Sequence, residues 1–146
     1  MRSQIHLTVA AVVPRDGHYL MVVENIAGER VLNQPAGHIE AGESPIDAVC
    51  RETLEETGWL VKPVACLSLA CFVAASGATY HRLSFVCEPL DQITDRIDPD
   101  IETALWLPVD IIRGADYRHR SPMVRGAIED HLAGIRYPLD VLRDYR

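Results

Sequence analysis

The sequence is short of positive charge. It has 14 lysine and arginine residues against 21 aspartate and glutamate residues, so its formal net charge is −7. A protein that binds the nucleic-acid backbone needs a basic surface to contact the phosphates, and this composition argues against a nucleic-acid polymer as the partner. An acidic protein that handles phosphate groups would instead have to recruit metal cations.

Long apolar runs and cysteine pairs are also missing. The first residues lead directly into a strand-like stretch without a long apolar run, so we predict no signal peptide, no membrane span and a cytoplasmic location. The cysteines form no CxxC pair and lie among apolar residues, which indicates small buried side chains rather than zinc ligands or a disulfide framework. They are Cys50, Cys66, Cys71 and Cys87.

What is present is a mixture of apolar runs, turn sequences and helix signals. A chain of 146 residues that is 48% hydrophobic and 24% charged, without repeats or linkers, predicts one globular domain over residues 1–146. Short strands are expected before and after a central helix, and a second helix near the end. This order indicates an α/β (α+β) fold with a mixed β-sheet between helices.

The first strands can be given boundaries. The runs His6–Val13 and Tyr19–Glu24 flank a turn sequence at 14–17, which predicts that they form a β-hairpin. Pro63 predicts a break between a short strand and a longer strand over about residues 65–74.

The second half of the chain is read in the same way. A strand is predicted over Tyr80–Glu88, followed by a polar loop over 89–99 and a short helix over Val109–Ile112. A longer helix is predicted from the N-cap Ser121 to about Ala133. Its expected buried stripe is Val124, Ile128 and Leu132.

The most informative stretch covers residues 37–58. Ser44 is a good helix N-cap, Pro45 suits the first helical position, and Gly58 ends the helix. Apolar and small residues at helical spacing predict one buried stripe. They are Ile46, Val49, Cys50, Thr53 and Thr57.

Three glutamates of this helix, Glu52, Glu55 and Glu56, stand at i, i+3 and i+4, so we expect their carboxylates on one arc away from the buried stripe. Like charges at this spacing repel by roughly 0.2–0.5 kcal/mol a pair, and we expect no basic residue on the arc. A hard divalent cation, Mg²⁺ or Mn²⁺, would offset the repulsion. A solvated acidic helix face is the alternative for three glutamates taken alone.

The charged and glycine residues of this stretch form a pattern of fixed spacing. They are Gly37, Glu43, Arg51, Glu52, Glu55, Glu56 and Gly58. The pattern resembles the Nudix box, the signature of the Nudix hydrolases, and has too many fixed positions to be a chance match. Thr53 stands where that family usually has an aliphatic residue, which we interpret as a variation in packing.

The resemblance implies a Nudix-type αβα sandwich with a mixed β-sheet, in which the box forms a loop–helix–loop motif. It also implies hydrolysis of a phosphoanhydride with Mg²⁺ or Mn²⁺. By the same resemblance Glu52, Glu55 and Glu56 are metal ligands, and the Gly37 carbonyl is a further one. Glu52 is the first candidate for the general base and Glu55 the second.

Two further expectations concern residues that support this site. Glu43 and Arg51 should pair across the junction of loop and helix and hold the ligands in place, whereas an ordinary surface ion pair is the alternative. Some family members recruit an acid from beyond the box. Glu102 is the best-placed candidate for that role, and a plain loop acid is the alternative.

Candidate substrate contacts lie outside the box. They are Asn33, Gln34, Tyr80, Arg82, Arg118 and Arg120. The last two belong to the only local cationic cluster, which precedes a helix N-terminus and would suit a terminal phosphate. A solvated cap segment is the alternative for that cluster, and a core aromatic is the alternative for Tyr80.

Two segments, 32–40 and 120–124, resemble the NudJ-type bacterial phosphatases. That resemblance implies release of phosphate from nucleoside di- and triphosphates, or from the pyrimidine diphosphate of thiamine synthesis. One alternative is a pyrophosphatase acting on ADP-ribose or another nucleoside diphosphate derivative. The other is a Nudix-fold sensor that binds a ligand without cleaving it. Each interpretation expects a small-molecule partner, and neither a nucleic-acid polymer nor a membrane.

Overall fold

Two mixed β-sheets form the centre of the computed structural model, which describes residues 4–146. The strands are β1 (Ile5–Val12), β2 (Pro14–Arg15), β3 (His18–Ile26), β4 (Glu29–Asn33), β5 (Ala36–His38), β6 (Trp59–Val73), β7 (Thr79–Gln92), β8 (Ile101–Pro108) and β9 (Arg118–His119). The first sheet has the order β5-β1-β7-β6, and the second has the order β2-β3-β4-β9 with β8 paired to β3. The predicted α+β class with mixed strand pairing is confirmed.

Three α-helices accompany the sheets in the described residues. They are α1 (Pro45–Thr57), α2 (Val109–Arg113) and α3 (Pro122–Leu132). Ala48 and Val49 of α1 pack against Val9 and Phe85 of the first sheet. Val124, Ala127 and Ile128 of α3 pack in a second core with Met21 and Leu32 of the second sheet. The sheets therefore have a helix on each side, and the ends of α1 and α3 both border the site described below.

Helix ends follow the local signals. The hydroxyl of Ser44 accepts a hydrogen bond from the Asp47 amide at 3.1 Å, and Gly58 has a left-handed φ of 77°. Ser121 caps α3 in the same way through the Met123 amide at 3.1 Å. Because each cap depends on residues within a few positions, the predicted helix starts at Pro45 and after Ser121 are confirmed.

The predicted hairpin of the first two long strands is wrong. β1 pairs with β5 and β7 in one sheet, whereas β3 pairs with β2, β4 and β8 in the other. Only Pro14 and Arg15 fold back onto Tyr19 and His18. A turn sequence reports a local reversal of the chain, but the neighbours of a long buried strand are set by distant segments.

The predicted strand break at Pro63 is also wrong. β6 runs unbroken through Pro63 for 15 residues, and its register with β7 shifts between Pro63 and Ala65. Edge strands and bulges tolerate proline because its missing N–H is not needed there. β7 likewise continues past Pro89 to Gln92, so the loop predicted from residue 89 begins later.

Several burial predictions also need correction. Leu132 is 45% exposed, and Ala127 takes its place in the buried stripe of α3. Cys71 is exposed rather than buried, because it lies on the open face of the edge strand β6. Thr53 is buried as expected, and its hydroxyl donates to the Val49 carbonyl at 2.7 Å. Over residues 4–146, no helix is long and apolar enough to span a bilayer.

Candidate active site

The loop before α1 is fastened to the helix by Arg51. Its Nε donates to Glu43 Oε2 at 2.7 Å and its Nη2 donates to Glu43 Oε1 at 2.9 Å, which is a bidentate pair. Nη2 also donates to the His38 carbonyl at 3.1 Å. The hydrogen bonds from Arg51 lower the pKa of Glu43 to about 2. The predicted contact between Glu43 and Arg51 is confirmed.

Arg51 also reaches the helix acids, contrary to the expectation that no basic residue offsets them. Its Nη1 donates to Glu52 Oε1 at 2.9 Å and to Glu55 Oε2 at 3.3 Å. The long arginine side chain lies along the helix surface and spans the i+1 and i+4 positions. Burial raises the pKa of Glu52, and the neighbouring Arg51 partly opposes that shift.

Glu56 lies in a different environment from its two neighbours. It is 9% exposed and therefore buried, so the prediction that all three acids point away from the buried side is wrong for this residue. Its Oε1 accepts a hydrogen bond from the Ala36 amide at 2.8 Å. Burial, together with the charges of Glu24, Glu52 and Asp98, raises the pKa of Glu56 to about 9, and the hydrogen bond from Ala36 opposes part of that shift.

Glu24 and Asp98 are two acids whose charges act on Glu56 and which the sequence did not indicate. Glu24 lies near the end of β3, and Asp98 lies in the loop before β8, where its amide donates to the Glu55 carbonyl at 2.8 Å. Glu24 could have been noticed in the sequence as an acid near the end of an apolar strand. The residues around it do not show that this strand lies near α1.

Gly37 is in close contact with the Glu52 carboxyl group. A Cβ atom built on Gly37 would lie 2.2 Å from the Glu52 carboxyl carbon. Only a residue without a side chain lets the backbone approach the acid so closely. The box glycine therefore lies where its backbone borders the acids, as the predicted role of its carbonyl requires.

A cleft of about 330 Å³ opens beside these acids. It is lined by Glu24, Gly37 and His38 on the acidic side and by Phe72, Tyr80 and Met123 on the apolar side. Four of the predicted substrate contacts also line it, namely Asn33, Tyr80, Arg82 and Arg120. Tyr80 stacks on His6 with ring centroids 4.6 Å apart.

Gln34 and Arg82 are held by protein partners. Gln34 is 0% exposed and Arg82 is 4% exposed. Arg82 donates to Gln34 Oε1 at 3.2 Å and to Asn33 Oδ1 at 2.7 Å, while Gln34 Nε2 donates to the Val124 carbonyl at 2.7 Å. Burial lowers the pKa of Arg82 to about 10, which leaves it charged at neutral pH. Gln34 and Arg82 thus join β4, β7 and α3 beneath the cleft.

The two arginines before α3 differ in their surroundings. Arg118 lies in an ion pair with Glu29, away from the cleft of about 330 Å³. Arg120 is exposed, lines that cleft and has no ion pair with any residue of the described chain. Glu102 forms an ion pair with Arg30 at 3.0 Å. Over residues 4–146 it makes no hydrogen bond to the acids of the box. Its role as a metal ligand stays a prediction.

The model of the NUDIX domain family matches residues 4–126. The chain belongs to the Nudix hydrolase family. It is 38% identical to the phosphatase NudJ of Escherichia coli K12 over 142 residues, which is 96% of this chain and 92% of NudJ. A Nudix hydrolase from Nitrosomonas europaea has 43% identity and a TM-score of 0.93, covering 97% of this chain and 98% of that one.

A more distant likeness shows only the common fold. The Nudix domain of Shewanella oneidensis NrtR, solved with ADP ribose, has a TM-score of 0.71 at 18% identity and covers 90% of each chain. The family model and the two relatives above 30% identity confirm the Nudix resemblance and show that the protein is an enzyme of this family, whose members act on small phosphate-containing molecules.

Nudix hydrolases generally use divalent metal ions, and the donor set of this site fits such an ion. Carboxylate and carbonyl oxygens are the ligands that Mg²⁺ prefers, and Glu52, Glu55, Glu56 and Gly37 supply them. As the side chains stand, no three acidic, histidine or cysteine residues of the described chain converge on one point. Because Arg51 holds Glu52 and Glu55, binding of an ion requires these carboxylates to turn towards Glu56.

Proposed function

We propose that the protein hydrolyses a phosphoanhydride in a nucleoside di- or triphosphate, or in a related organic pyrophosphate, with Mg²⁺ or with Mn²⁺ in its place. The observation that carries this proposal is the buried Glu56, whose Oε1 accepts from the Ala36 amide beside an open cleft lined by Glu24 and Gly37. A bound cation would favour the charged form of a carboxyl group that burial disfavours.

Glu52, Glu55, Glu56 and the Gly37 carbonyl would hold the ion, and a bound ion would supply charge neutralisation to the phosphate oxygens and activation of the attacking water. Glu52 accepts a proton from that water as the first choice of general base, and Glu55 is the second. The water oxygen bonds to phosphorus while the bridging P–O bond breaks.

Arg51 and Glu43 act as positioning residues in this proposal. Their bidentate pair at 2.7 and 2.9 Å fastens the loop that carries Gly37 to the helix that carries the acids. A loop fixed in this way keeps the Gly37 backbone beside the helix. The Glu52 and Glu55 side chains would then be the only parts that turn when an ion binds.

The cleft supports a substrate with a phosphate chain at one end and a flat ring at the other. Arg120 carries a free charge at the N-terminus of α3, where a terminal phosphate would be favoured. Phe72 and Tyr80 are opposite each other on β6 and β7 and line the apolar end. The NudJ relative is a phosphatase, and we propose the same release of orthophosphate here, including from the pyrimidine diphosphate of thiamine synthesis.

A substrate panel tests the proposal. Nucleoside di- and triphosphates, the pyrimidine diphosphate and ADP-ribose are incubated with protein and Mg²⁺, and orthophosphate, pyrophosphate and AMP are quantified. We expect orthophosphate from the first three classes, complete loss of turnover with EDTA, and recovery with Mg²⁺ or Mn²⁺. AMP and a sugar phosphate from ADP-ribose alone would assign a different substrate class. Turnover that persists in EDTA would overturn the metal assignment.

A further inference from the structure

Two polar side chains in the wall of the cleft have hydrogen-bonding groups that the protein does not use. Glu24 is half-buried near the end of β3, and Asn33 is 9% exposed at the end of β4. Both line the cleft of about 330 Å³, and their strands pair with each other. Because paired strands hold this part of the wall, the two side chains can present a fixed pattern to a ligand.

The buried Arg82 determines which way the Asn33 amide group points. An arginine can only donate, so the Asn33 atom that its Nη2 contacts at 2.7 Å is the oxygen Oδ1. The nitrogen Nδ2 therefore points towards Glu24, and it donates to Glu24 Oε1 at 2.8 Å. A second hydrogen bond, from Arg82 to Gln34 Oε1 at 3.2 Å, holds the guanidinium group in place.

This network leaves one donor and one acceptor beside each other. Asn33 Nδ2 carries two hydrogens and gives one of them to Glu24, while Glu24 has a second oxygen, Oε2. Over residues 4–146, no hydrogen bond engages the other hydrogen of Nδ2 or the oxygen Oε2. Since both side chains line the cleft, a ligand that fills it meets an N–H group next to a carboxylate oxygen.

The chemical group that matches this pair is an amino group next to a ring nitrogen. Its amino N–H donates to the carboxylate, and the lone pair of the ring nitrogen accepts from the amide. Cytosine, adenine and other aminopyrimidine rings carry this edge. A ring with an oxo group in that position carries an oxygen and a protonated nitrogen, which is the reverse pattern. Phe72 and Tyr80 offer flat apolar surfaces to such a ring in the same cleft.

We propose that Glu24 and Asn33 select the amino edge of the substrate ring, so that the preferred substrates are phosphoanhydrides of amino-substituted heterocycles. Arg82 is the positioning residue that fixes the Asn33 amide. This inference rests on the proposed function and deepens it, since the selected ring belongs to the substrate of the same cleft. It also changes the role of Arg82 from the predicted substrate contact to an indirect one.

Matched substrates test the inference, because CTP and UTP differ only in the amino or oxo group at this edge, and ATP and ITP do as well. We expect the wild type to favour the amino member of each pair by about 10²-fold in kcat/KM, since the oxo ring places an acceptor against the carboxylate. This ratio is measured within one protein sample, so partial unfolding or weaker metal binding affects both members equally.

Glu24→Gln should change the ratio itself. The new amide oxygen accepts from Asn33, whose orientation is fixed, so the new amide nitrogen points into the cleft and donates there. We expect the preference for the amino ring to fall at least about 10-fold, mainly because the oxo substrates improve relative to the amino substrates. Glu88→Gln on β7, which is exposed and does not line the cleft, removes the same formal charge and should leave the ratio unchanged.

Arg82→Met and Arg82→Lys test the positioning. Methionine donates no hydrogen bond, so the Asn33 amide becomes free to turn over and the ratio should fall. Lysine can only donate, as arginine does, and should keep the ratio high. Thermal unfolding followed by circular dichroism shows which variants fold. A ratio that is the same in both folded variants as in the wild type would assign Arg82 a purely structural role.

The outcomes separate this inference from the proposed function. A wild type that turns over both members of each pair equally well would support the proposed function and overturn the inference. A preference that Glu24→Gln leaves unchanged would also overturn it, as would equal losses for both members. A wild type that turns over none of the four nucleotides would count against the proposed function, and the Kd values of CDP and UDP, measured by titration calorimetry in EDTA, would then decide the inference by the same ratio.

Discussion

Helix α1 carries acids on two sides, and the two sides are balanced in different ways. On the first side Glu43, Glu52 and Glu55 share the single cation Arg51. On the second side Glu56 is buried near Glu24 and Asp98 and accepts one hydrogen bond from a backbone amide. The three carboxylates of the first side thus share one arginine that contacts them directly, whereas on the second side the buried Arg82 lies close enough to Glu24 and Glu56 for both to raise its pKa.

This difference indicates how the site is organised. The Arg51 side fixes the geometry of loop and helix, since its contacts are short and bidentate. The Glu56 side is withdrawn from water, and burial raises the pKa of its carboxyl group, so we expect a bound divalent ion to favour the charged form. Breaking either side should therefore reduce activity for a different reason.

The largest effect is expected from Glu52→Gln, the proposed general base at the border of the two sides. Loss of the base should lower kcat by about 10²–10⁴-fold, with little change in the unfolding temperature. Steady-state kinetics with the preferred substrate measure this, and Glu88→Gln is the control. If Glu55→Gln shows the larger loss in kcat while Glu52→Gln is nearly normal, the order of the two candidates is reversed.

Gly37→Ala should have the next largest effect. The new methyl group would lie 2.2 Å from the Glu52 carboxyl carbon, so the carboxylate must move by an ångström or more. We expect a loss in kcat/KM of about 10²-fold with the fold retained, because the displaced atoms are at the end of a flexible side chain. Gly126→Ala in α3, where nothing lies within 4 Å of the new Cβ, should keep full activity. Equal activity in both variants would contradict the proposed position of Glu52.

Glu43→Gln breaks the first side without touching an ion ligand. Arg51 loses its charged bidentate partner and the loop becomes less ordered, so we expect kcat/KM to fall by about 10-fold, at the lower end of supporting-residue effects. Unchanged kinetics would mean that the pair is an ordinary surface ion pair.

The smallest effect concerns stability in acid. The pKa of Glu43 is lowered from 4.5 to about 2 by Arg51, so its contribution is complete above about pH 4.5 and is lost as the pH falls towards 2. Urea unfolding between pH 6 and pH 2 should show a steeper loss of stability in the wild type than in Glu43→Gln. Parallel curves for the two proteins would show that the pair does not stabilise the fold.

The success of the sequence-based predictions also differs between the two sides of α1. The helix start at Pro45, the cap at Gly58 and the contact between Glu43 and Arg51 were all predicted, because each depends on residues a few positions apart. The contacts of Arg51 with Glu52 and Glu55 were missed, although they are equally local, since the prediction considered only the helix arc and not the reach of an arginine side chain.

The second side could not be predicted because it is assembled by the sheets. Glu24 and Gly37 line one cleft, although their strands β3 and β5 belong to different sheets. The burial of Gln34 and Arg82 follows from the meeting of β4, β7 and α3. Likewise, only the packing of α3 places Arg120 in the cleft and Arg118 outside it.

The sequence by itself determined the family, the α+β class, the helix bounds and the spacing of the box acids, because these depend on local propensity and on positions along one helix. The tertiary structure alone decided that Glu56 is buried and that hydrogen bonds join Arg82 to Asn33 and Asn33 to Glu24. Those features require backbone segments tens of residues apart to meet, and strand pairing between distant segments is set by the packing of the whole core.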